Sequence, residues 1–326
     1  HDAGSPHSIQ HSERSPLLSP ASSSHSTVDA DAHYPLDQPH TPQVTVIPTK
    51  DLVISSSIGA GPYSKVFAGT WGNRAVAVKQ VVDAFTTAAS SQTALTEVAT
   101  LVSVPAHPNI TPLLGIALDE SSSFLALVTP LAAGGSLFRA LHSAKLHASV
   151  PRAVRVTRDA LEGLSFLHDM QVLHRDLKSP NLLLSGPLDA LGTRVMLCDF
   201  GLSKFIESVS THTGAIGTPA WMAPEVLTTG YYGLPSDMYS MGVVLWELVQ
   251  LQLPFDGIPA ITLIGRRVAG TAHLEMPHNL PEPLFDLLTG LLAVQPDARP
   301  TAHEALDSLR KMMGEEAADC LSKGTS

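Results

Sequence analysis

The chain has 326 residues, 44% of them hydrophobic, which is enough to bury a large core, and this length predicts about two domains or lobes. A formal net charge of -10 and a pI near 5.8 exclude a generally basic surface, so nucleic acid is not expected as a partner and any anion-binding site must be local. Cys198 and Cys320 are the only cysteines, so a disulfide framework is not expected and a reducing, cytoplasmic location is predicted. No apolar run approaches the roughly 20 residues that span a bilayer, so a transmembrane segment is not expected.

Residues 1–45 are predicted to form a disordered tail. Up to residue 42 the segment holds nine Ser, six Pro and six His with few large apolar side chains, so it cannot bury enough surface to offset the entropy of ordering. Its Ser/Thr-Pro dipeptides are candidate phosphoacceptors, and a solvated linker without regulation is an equal alternative. They begin at Ser5, Ser15, Ser19 and Thr41. Because the chain begins at His1 rather than Met, a fragment or a processed product is expected.

Short strand-like runs then alternate with turns and predict a small antiparallel sheet. The runs are residues 51–61, 65–71, 74–82, 110–118 and 122–130. Between the third and fourth runs, apolar residues at helical spacing predict a helix that begins near Ser90 or Ser91 and ends before Pro105. The sheet and this helix make up the first lobe.

The pattern becomes helical after a turn at 131–137. Helical periodicity covers residues 150–170 and 236–250 and continues in later segments that end near Met312. Residues 236–250 are apolar on most faces, as expected of a buried central helix. A β-rich first lobe is therefore joined to a helical second lobe, and a ligand-binding cleft is expected between the two.

Two features of the first lobe are candidate phosphate-binding elements. Gly59 and Gly61, in the sequence IGAGPYSKV, permit a tight turn close to a phosphate group, although in isolation a plain hairpin turn is the more frequent reason for two glycines. Lys79 lies on a half-buried strand and needs a negative partner. Glu97 on the predicted helix is the best candidate, and the alternative is that both residues are ordinary surface charges.

The second lobe contains a charged loop between apolar anchors. In VLHRDLKSPNLLL, residues 172–184, side chains of both charge signs stand between two apolar runs. Buried charge is costly unless it is paired or used, so the segment is predicted to be a site rather than a surface turn. Further along, the triplet DFG at 199–201 follows the strand-like RVMLC, and the triplet APE at 223–225 closes the next loop.

Together, IGAGPYSKV, VAVK, HRDLKSPN, DFG and APE occur in the order and context of the protein kinase motifs, and from about Leu52 to Met312 the chain resembles that family. The resemblance implies an α+β, bilobal protein-kinase-like fold, with an antiparallel β-rich N-lobe that holds one long helix and a mainly helical C-lobe. It also implies these divisions: a tail at 1–45, a kinase domain at 50–312 (N-lobe 50–129, hinge 130–135, C-lobe 136–312) and a C-terminal tail at 313–326.

The resemblance implies ATP and Mg²⁺ as cofactors and assigns the catalytic residues. Phosphoryl transfer requires mainly positioning and compensation of negative charge. Asp176 would orient the acceptor hydroxyl and take its proton, and Lys178 would lie near the γ-phosphate. Lys79, paired with Glu97, would hold the α- and β-phosphates. The implied metal ligands are Asn181 and Asp199.

The nucleotide site is implied in the same way. Thr129 would be the gatekeeper, and Pro130 and Ala132 would meet the adenine through a carbonyl and an N–H, so the missing N–H of proline is harmless. Ser64 stands where the family has the third glycine of the loop, and its side chain is expected to slow loop motion without blocking binding. The implied nucleotide-binding residues are Ile58, Gly59, Ala60, Gly61, Ser64, Val66, Ala77, Lys79, Thr129, Pro130, Ala132, Leu183 and Asp199.

Supporting contacts are implied around this site. Asp237 would brace the HRD backbone, and Glu225 and Arg299 would form a buried ion pair of the second lobe. Cys198 is expected to be a small buried hydrophobe that borders the nucleotide pocket. A spine of stacked side chains would stabilise the active state, formed by Leu101, Leu113, His174 and Phe200.

Regulation and specificity also follow from the resemblance. Arg175 matches kinases whose activation loop is held by a phosphate on that loop. The favoured acceptors are Ser210, Thr211 and Thr213, with a solvated mobile loop as the alternative. Lys178, and Thr218 in the expected peptide-binding floor, indicate Ser/Thr specificity, and SDMYSMGVVLWEL resembles the tyrosine-kinase-like group with its Raf-like and mixed-lineage enzymes. Protein substrates and upstream activating kinases in intracellular signalling are the expected partners.

Two other functions stay open from the sequence. A pseudokinase would bind ATP and act as a scaffold without transfer, but every residue that transfer needs is present. A phosphotransferase for small molecules fits less well, because the APE segment and Thr218 are peptide-binding features of the family. Transfer to protein, to a small molecule or to neither distinguishes the three. The sequence does not indicate an oligomeric state.

Overall fold

The N-terminal lobe is built on a five-stranded antiparallel sheet, as predicted. The computed structural model describes residues 45–61, 64–81, 98–99, 101–119, 124–143, 146–200 and 219–323. The strands, in the spatial order β1-β2-β3-β5-β4, are β1 (Leu52–Ala60), β2 (Ser64–Trp71), β3 (Arg74–Val81), β4 (Gly115–Asp119) and β5 (Phe124–Pro130). Residues 98–99 and 101–103 are helical, at the end of the predicted helix, whose earlier part with Glu97 lies outside the described residues.

The alternation of side chains along β3 separates the core from the cleft. Val76 and Val78 are fully buried on one face of the sheet, where they pack with Ala117, Ala126 and Val128. Successive side chains of a strand point to opposite faces. The intervening residues, Ala77 and Lys79, therefore face the other side of the sheet, where both line a large cleft.

The predicted strand at 110–118 is a strand only in its second half. β4 begins at Gly115, and before it Ile110 makes a single bridge to Leu197. Pro112 has no N–H to donate, which interrupts a strand ladder at this point. The Thr111 amide instead donates to the Leu197 carbonyl at 2.8 Å, and the Leu197 amide donates to the Asn109 carbonyl at 2.9 Å. The segment thus joins the first lobe to the strand that leads to Asp199.

A short N-terminal segment extends the packed sheet beyond the predicted domain boundary at residue 50. The Ile47 amide donates to the Ile116 carbonyl at 2.7 Å, and the Ile116 amide donates to the Thr45 carbonyl at 2.9 Å. The Ile47 side chain is fully buried in the sheet core. Glycine at 115 permits this approach, because a Cβ there would lie 2.4 Å from the Thr45 carbonyl oxygen and 2.8 Å from the Ile47 side chain.

Gly115→Ala is expected to lower the free energy of unfolding by about 1–3 kcal/mol, because the added methyl group must displace residues 45–47 or distort the core beneath them. Urea unfolding followed by tryptophan fluorescence measures the change. Gly265→Ala, in the helix Ala260–Val268, is the matched control, since nothing lies within 4 Å of its Cβ and alanine is the better helix former. Wild-type stability in Gly115→Ala would contradict this role of glycine.

The second lobe is helical, also as predicted. Its helices are α1 (Leu137–Ser143), α2 (Val150–Asp169), α3 (Pro224–Thr229), α4 (Leu234–Gln250), α5 (Ala260–Val268), α6 (Glu282–Leu291) and α7 (Ala302–Lys323). α2 begins after Ser149, whose side chain accepts from the Arg152 amide. α4 is buried along nearly all of its length and is the predicted central helix. α7 continues beyond the expected end near Met312. Within the described residues, no helix is long and apolar enough to cross a membrane.

A two-stranded sheet sets the charged loop beside the DFG segment. β6 (Leu182–Leu184) follows the loop and pairs antiparallel with β7 (Val195–Leu197), which leads into Asp199. The Cys198 amide also donates to the Asn181 carbonyl at 3.0 Å. The two predicted metal ligands, Asn181 and Asp199, therefore stand at adjacent ends of one small sheet.

Candidate active site

A cleft of about 1730 Å³ is lined by residues of both lobes. Every residue predicted to bind nucleotide lines it, and so do Asp176, Lys178 and Asn181. At its roof the Gly61 amide donates to the Ser64 carbonyl at 2.8 Å. A Cβ at Gly59 or Gly61 would meet its nearest neighbour at 3.7 Å, and neither residue has a positive φ. The hairpin therefore does not itself require glycine, and the bare backbone leaves room for a ligand close to it.

Lys79 and Asp199 form an ion pair inside the cleft, with Nζ 2.7 Å from Oδ1. Burial alone would raise the pKa of Asp199, but the Lys79 ammonium lowers it below its usual value, so the carboxylate is ionised at neutral pH. Asp199 has φ of 63°, a strained backbone conformation of the kind that accumulates at functional sites. The predicted partner of Lys79, Glu97, lies outside the described residues.

The charged loop concentrates its polar side chains on Asp176. Lys178 Nζ lies 2.8 Å from Asp176 Oδ2. The Asn181 amide nitrogen donates to the same oxygen at 3.0 Å and to the Asp176 carbonyl at 2.8 Å. A carboxylate beside a cation and an amide donor is held in one orientation, which is what a group that accepts a proton at a defined place requires.

The loop backbone is held from below by Asp237 of α4, as predicted. Its two carboxylate oxygens accept from the backbone amides of His174 and Arg175, each at 2.8 Å. Arg175 has φ of 67°, and these two hydrogen bonds help to maintain that strained conformation. His168 lies 3.1 Å from the same carboxylate. The strained backbone of Arg175, next to Asp176, is thus held in place by a side chain of the buried helix α4.

Asn181 and Asp199 fit a magnesium ion. The Asn181 amide nitrogen donates to Asp176 inside the loop, so the amide oxygen is the atom that would bind a metal together with the ionised Asp199 carboxylate. No cluster of three or more His, Cys, Asp or Glu suitable for a metal occurs among the residues that the structure describes. Magnesium prefers one or two protein oxygen ligands together with water and substrate phosphates, so a two-residue site is the expected kind.

The interior behind the cleft contains part of the predicted stack. His174 and Phe200 are buried with ring centroids 6.4 Å apart, edge to face. Leu101 and Leu113 pack against the cluster formed by Val98 and Leu127, and Leu101 also packs against the core that contains Phe200. Burial lowers the pKa of His174, and its ring nitrogens have no hydrogen-bond partner among the described residues, so the ring is neutral and packs as an apolar group.

Cys198 borders the cleft immediately before Asp199. Burial raises the pKa of its thiol well above the usual value, and the neighbouring Asp199 carboxylate adds to this effect. Thiolate formation at neutral pH is therefore disfavoured. The prediction of a small buried hydrophobe agrees with this disfavoured ionisation, although the Cys198 side chain is half-buried and not fully enclosed.

The predicted buried ion pair of the second lobe is present. Arg299 donates to both oxygens of Glu225, at 2.7 and 2.8 Å, and its side chain is fully buried. It also donates to the carbonyls of Pro235, Ala293 and Val294. Residues 201–218, with Ser210, Thr211, Thr213 and Thr218, lie outside the described residues.

One group of polar residues near the site was missed from the sequence. Glu247 of α4 is fully buried and hydrogen-bonds to Ser179, Trp221 and His142. The signal that could have drawn attention to it is a single acidic residue in the otherwise apolar run MGVVLWELV. A buried carboxylate requires partners, but the sequence does not say which ones.

Comparison with known proteins agrees with this geometry. The family model "Protein kinase domain" matches residues 52–309. The chain is 35% identical over 272 residues to serine/threonine-protein kinase CTR1 of Arabidopsis thaliana, an alignment that covers 82% of this chain and 32% of that protein. It is 34% identical over 284 residues to human mitogen-activated protein kinase kinase kinase 11, with 83% and 32% covered. The chain thus spans about a third of the length of these relatives.

Proposed function

Because the chain belongs to the protein kinase family, we propose that it is a serine/threonine kinase that transfers the γ-phosphate of ATP to hydroxyl groups of protein substrates. The observation that carries the proposal is the convergence of Lys79, Asp176, Asn181 and Asp199 on one cleft. Phosphoryl transfer needs positioned opposite charges and a proton acceptor rather than covalent chemistry. The cleft supplies both.

The side chains have complementary tasks in this mechanism. Lys79 holds phosphate oxygens of the nucleotide beneath the glycine turn. Asp176 orients the acceptor hydroxyl and accepts its proton, while Lys178, 2.8 Å from that carboxylate, adds positive charge where the transferred group passes. Asn181 and Asp199 would hold magnesium, which would supply charge that neutralises the phosphate oxygens. The Lys79–Asp199 distance of 2.7 Å supports these two roles, because phosphate oxygens that bridge a metal ion and a lysine need both groups close together.

Regulation and location belong to the same proposal. Arg175, next to Asp176, is suited to hold a phosphate on the segment 208–213, which supports activation by an upstream kinase or by autophosphorylation. The chain has only two cysteines, which supports a cytoplasmic location. Its relatives include a mitogen-activated protein kinase kinase kinase, which supports a signalling role with protein partners.

Asp199→Asn is expected to abolish phosphate transfer, because it removes the ionised metal ligand and the partner of Lys79. Purified wild type and variant are incubated with labelled ATP, magnesium and a generic basic protein, and the phosphorylated amino acid is identified. Label on Ser or Thr that is lost in the variant supports the proposal. Cys320→Ser, in α7, is the control for substitution as such, and it should label like the wild type. ATP binding without transfer by the wild type would instead support a scaffold.

A further inference from the structure

A second cavity, distinct from the nucleotide cleft, lies on the second lobe. Its volume is about 650 Å³, and it is bounded by α2, α7, residues 107–109 and the loop that leads into β7. Of the described catalytic and nucleotide-binding residues, none lines it. Three carboxylates and four arginines line it, the arginines being Arg155, Arg158, Arg194 and Arg310. The chain as a whole carries a formal net charge of -10, so this is a local concentration of positive charge.

The carboxylates of this cavity already have partners on the protein. Asp159 accepts from Arg158 Nη2 at 2.8 Å and from a backbone amide at 3.1 Å. Asp169 Oδ1 lies 2.9 Å from His303 Nε2. Glu162 Oε1 lies 3.8 Å from Arg158 Nε. These contacts leave Arg155 and Arg194 as the arginines of the cavity to be accounted for.

Neither of these two arginines contacts a carboxylate among the residues that the structure describes. The Arg155 guanidinium donates to the carbonyls of Leu188 and Thr193. The Arg194 side chain is exposed and has no hydrogen bond or ion pair within the described part of the chain. Asp189, the one acidic residue of the loop, is bound by both Nε and Nη2 of Arg152. Two positive charges without a carboxylate partner therefore meet at the loop.

The carboxylates of α2 are too far along the helix to cancel this charge. A helix rises 1.5 Å per residue, which puts Glu162 about 10 Å and Asp169 about 21 Å beyond Arg155 along the axis. At physiological salt, charges on a protein surface are screened over about 8 Å. The loop end of the cavity is therefore locally positive.

The loop that forms this end, residues 185–194, is held in one conformation. The Ser185 amide donates to the Arg194 carbonyl at 3.0 Å, and the Arg194 amide donates to Ser185 Oγ at 2.9 Å. Thr193 Oγ1 donates to a carbonyl inside the loop at 2.8 Å. Leu188 points into the core of the lobe and is 7% exposed, whereas Leu191 is fully exposed. The loop thus presents one leucine to solvent beside the two arginines.

We call Arg155, Leu191 and Arg194 the loop corner. A single exposed leucine on a surface is ordinary. Here it stands on a loop fixed by hydrogen bonds, so a partner that covers it orders little additional backbone. Guanidinium groups pair with carboxylates through charge-assisted hydrogen bonds. The corner therefore offers an apolar contact and two anion contacts in a fixed arrangement.

We propose that the loop corner is a docking site for an acidic segment of a protein partner. Carboxylates of that segment pair with Arg155 and Arg194, and an apolar side chain next to them covers Leu191. A short acidic peptide suits the corner better than a nucleic acid, because the chain around it is acidic and repels an extended polyanion. The site goes beyond the proposed kinase function, since binding there needs no phosphate transfer.

Fluorescence anisotropy of a labelled peptide that carries Glu-Glu-Asp-Leu tests the site, with a Lys-Lys-Arg-Leu peptide as the comparison. The wild type should bind the acidic peptide at least about tenfold more tightly. Arg194→Glu should weaken this binding about tenfold and Leu191→Ser about threefold, because each removes one contact of the corner. Both side chains are exposed, so the variants should fold. Equal affinity of the wild type for the two peptides would overturn the proposal.

Matched controls locate the binding at the loop corner. Arg310→Glu makes the same change of charge at the other end of the cavity, where Arg310 pairs with Asp307. Val294→Ser removes another exposed apolar side chain, 59% exposed. Both should bind the acidic peptide within about twofold of the wild type. A loss in Arg310→Glu equal to that in Arg194→Glu would indicate a general effect of charge and overturn the site.

A second copy of this chain is the other occupant to test. Analytical ultracentrifugation should show a wild type that does not self-associate. Self-association that is lost in Arg194→Glu would assign the corner to a contact between copies and overturn its assignment to a different protein.

A kinetic experiment, which rests on the proposed kinase function, tests whether docking helps a substrate. A Ser/Thr peptide joined to Glu-Glu-Asp-Leu by flexible linkers of several lengths should have a KM about tenfold lower than the plain peptide, with kcat unchanged. Arg194→Glu should remove only this advantage. An equal KM at every linker length would overturn a role in substrate docking. Absence of transfer by the wild type, with peptide binding that depends on Arg194, would refute the kinase function and leave the docking site supported.

Discussion

Asp176→Asn is expected to lower kcat by about 10²–10⁴-fold and to leave KM for ATP within about twofold. Asparagine keeps the shape of the side chain and an oxygen for the Asn181 amide, but it cannot take the hydroxyl proton and it removes the charge that faces Lys178. Steady-state kinetics with a Ser/Thr peptide and a separate titration of ATP binding measure the two quantities.

The control for Asp176→Asn is the same substitution at an aspartate whose ion pair lies away from the cleft. Asp189, on the surface loop before β7, binds both Nε and Nη2 of Arg152, at 2.7 and 2.9 Å. Asp189→Asn should keep kcat within about twofold of the wild type, as expected for an exposed pair. Retention of more than about a tenth of wild-type kcat by Asp176→Asn would argue against its role as proton acceptor.

Glu225→Gln is expected to lower the free energy of unfolding by about 3–5 kcal/mol. The change leaves the fully buried Arg299 side chain without its counter-charge, and the remaining carbonyl partners cannot replace a carboxylate. Urea unfolding at neutral pH measures the loss. Asp307→Asn is the matched control, because its partner Arg310 is also a surface residue, with both side chains more than 60% exposed, and it should change stability by less than about 1 kcal/mol.

The same pair carries a pH dependence with a definite sign. Burial alone would raise the pKa of Glu225, but the Arg299 fork and further hydrogen bonds bring it below its usual 4.5. The ionised carboxylate therefore stabilises the folded state above pH 4.5, and this contribution is lost as the pH falls through the lower folded-state pKa. The stability gap between wild type and Glu225→Gln should narrow in acid. A difference in the free energy of unfolding that stays constant as the pH falls well below 4.5 would contradict the ion-pair explanation.

Much of the fold could be predicted because its patterns are local. The strand-like runs of β3 and β5 and the apolar run of α4 are visible in the sequence itself, and all three elements lie where they were predicted. The strand at 110–118 was predicted too long, since the apolar pattern continues through Pro112 although the backbone ladder cannot. The role of Ile47 was missed because its burial depends on the room left by Gly115 in a strand far along the chain.

In the candidate site, too, the residues were predictable from the sequence, but not all of their partners were. The residue types of the HRD loop and the DFG triplet have clear chemical uses, so the sequence predicted which side chains meet in the cleft. The pair between Lys79 and Asp199 was not among those predictions, because the sequence assigned Lys79 to Glu97. A lysine in a half-buried strand signals only that a negative partner is needed, and its neighbours in space decide which carboxylate comes closest.

By itself, the sequence determined the two-lobed architecture, the kinase motifs and a set of predicted nucleotide-binding residues, all of which line the cleft. Only the tertiary structure decided which groups share a buried partner: His142, Ser179 and Trp221 meet on Glu247 although the chain separates His142 from it by 105 positions. Sequence periodicity and motifs indicate only the helix, strand or loop to which a residue itself belongs. A buried hydrogen bond depends on the position of another segment, which exists only once the elements have packed.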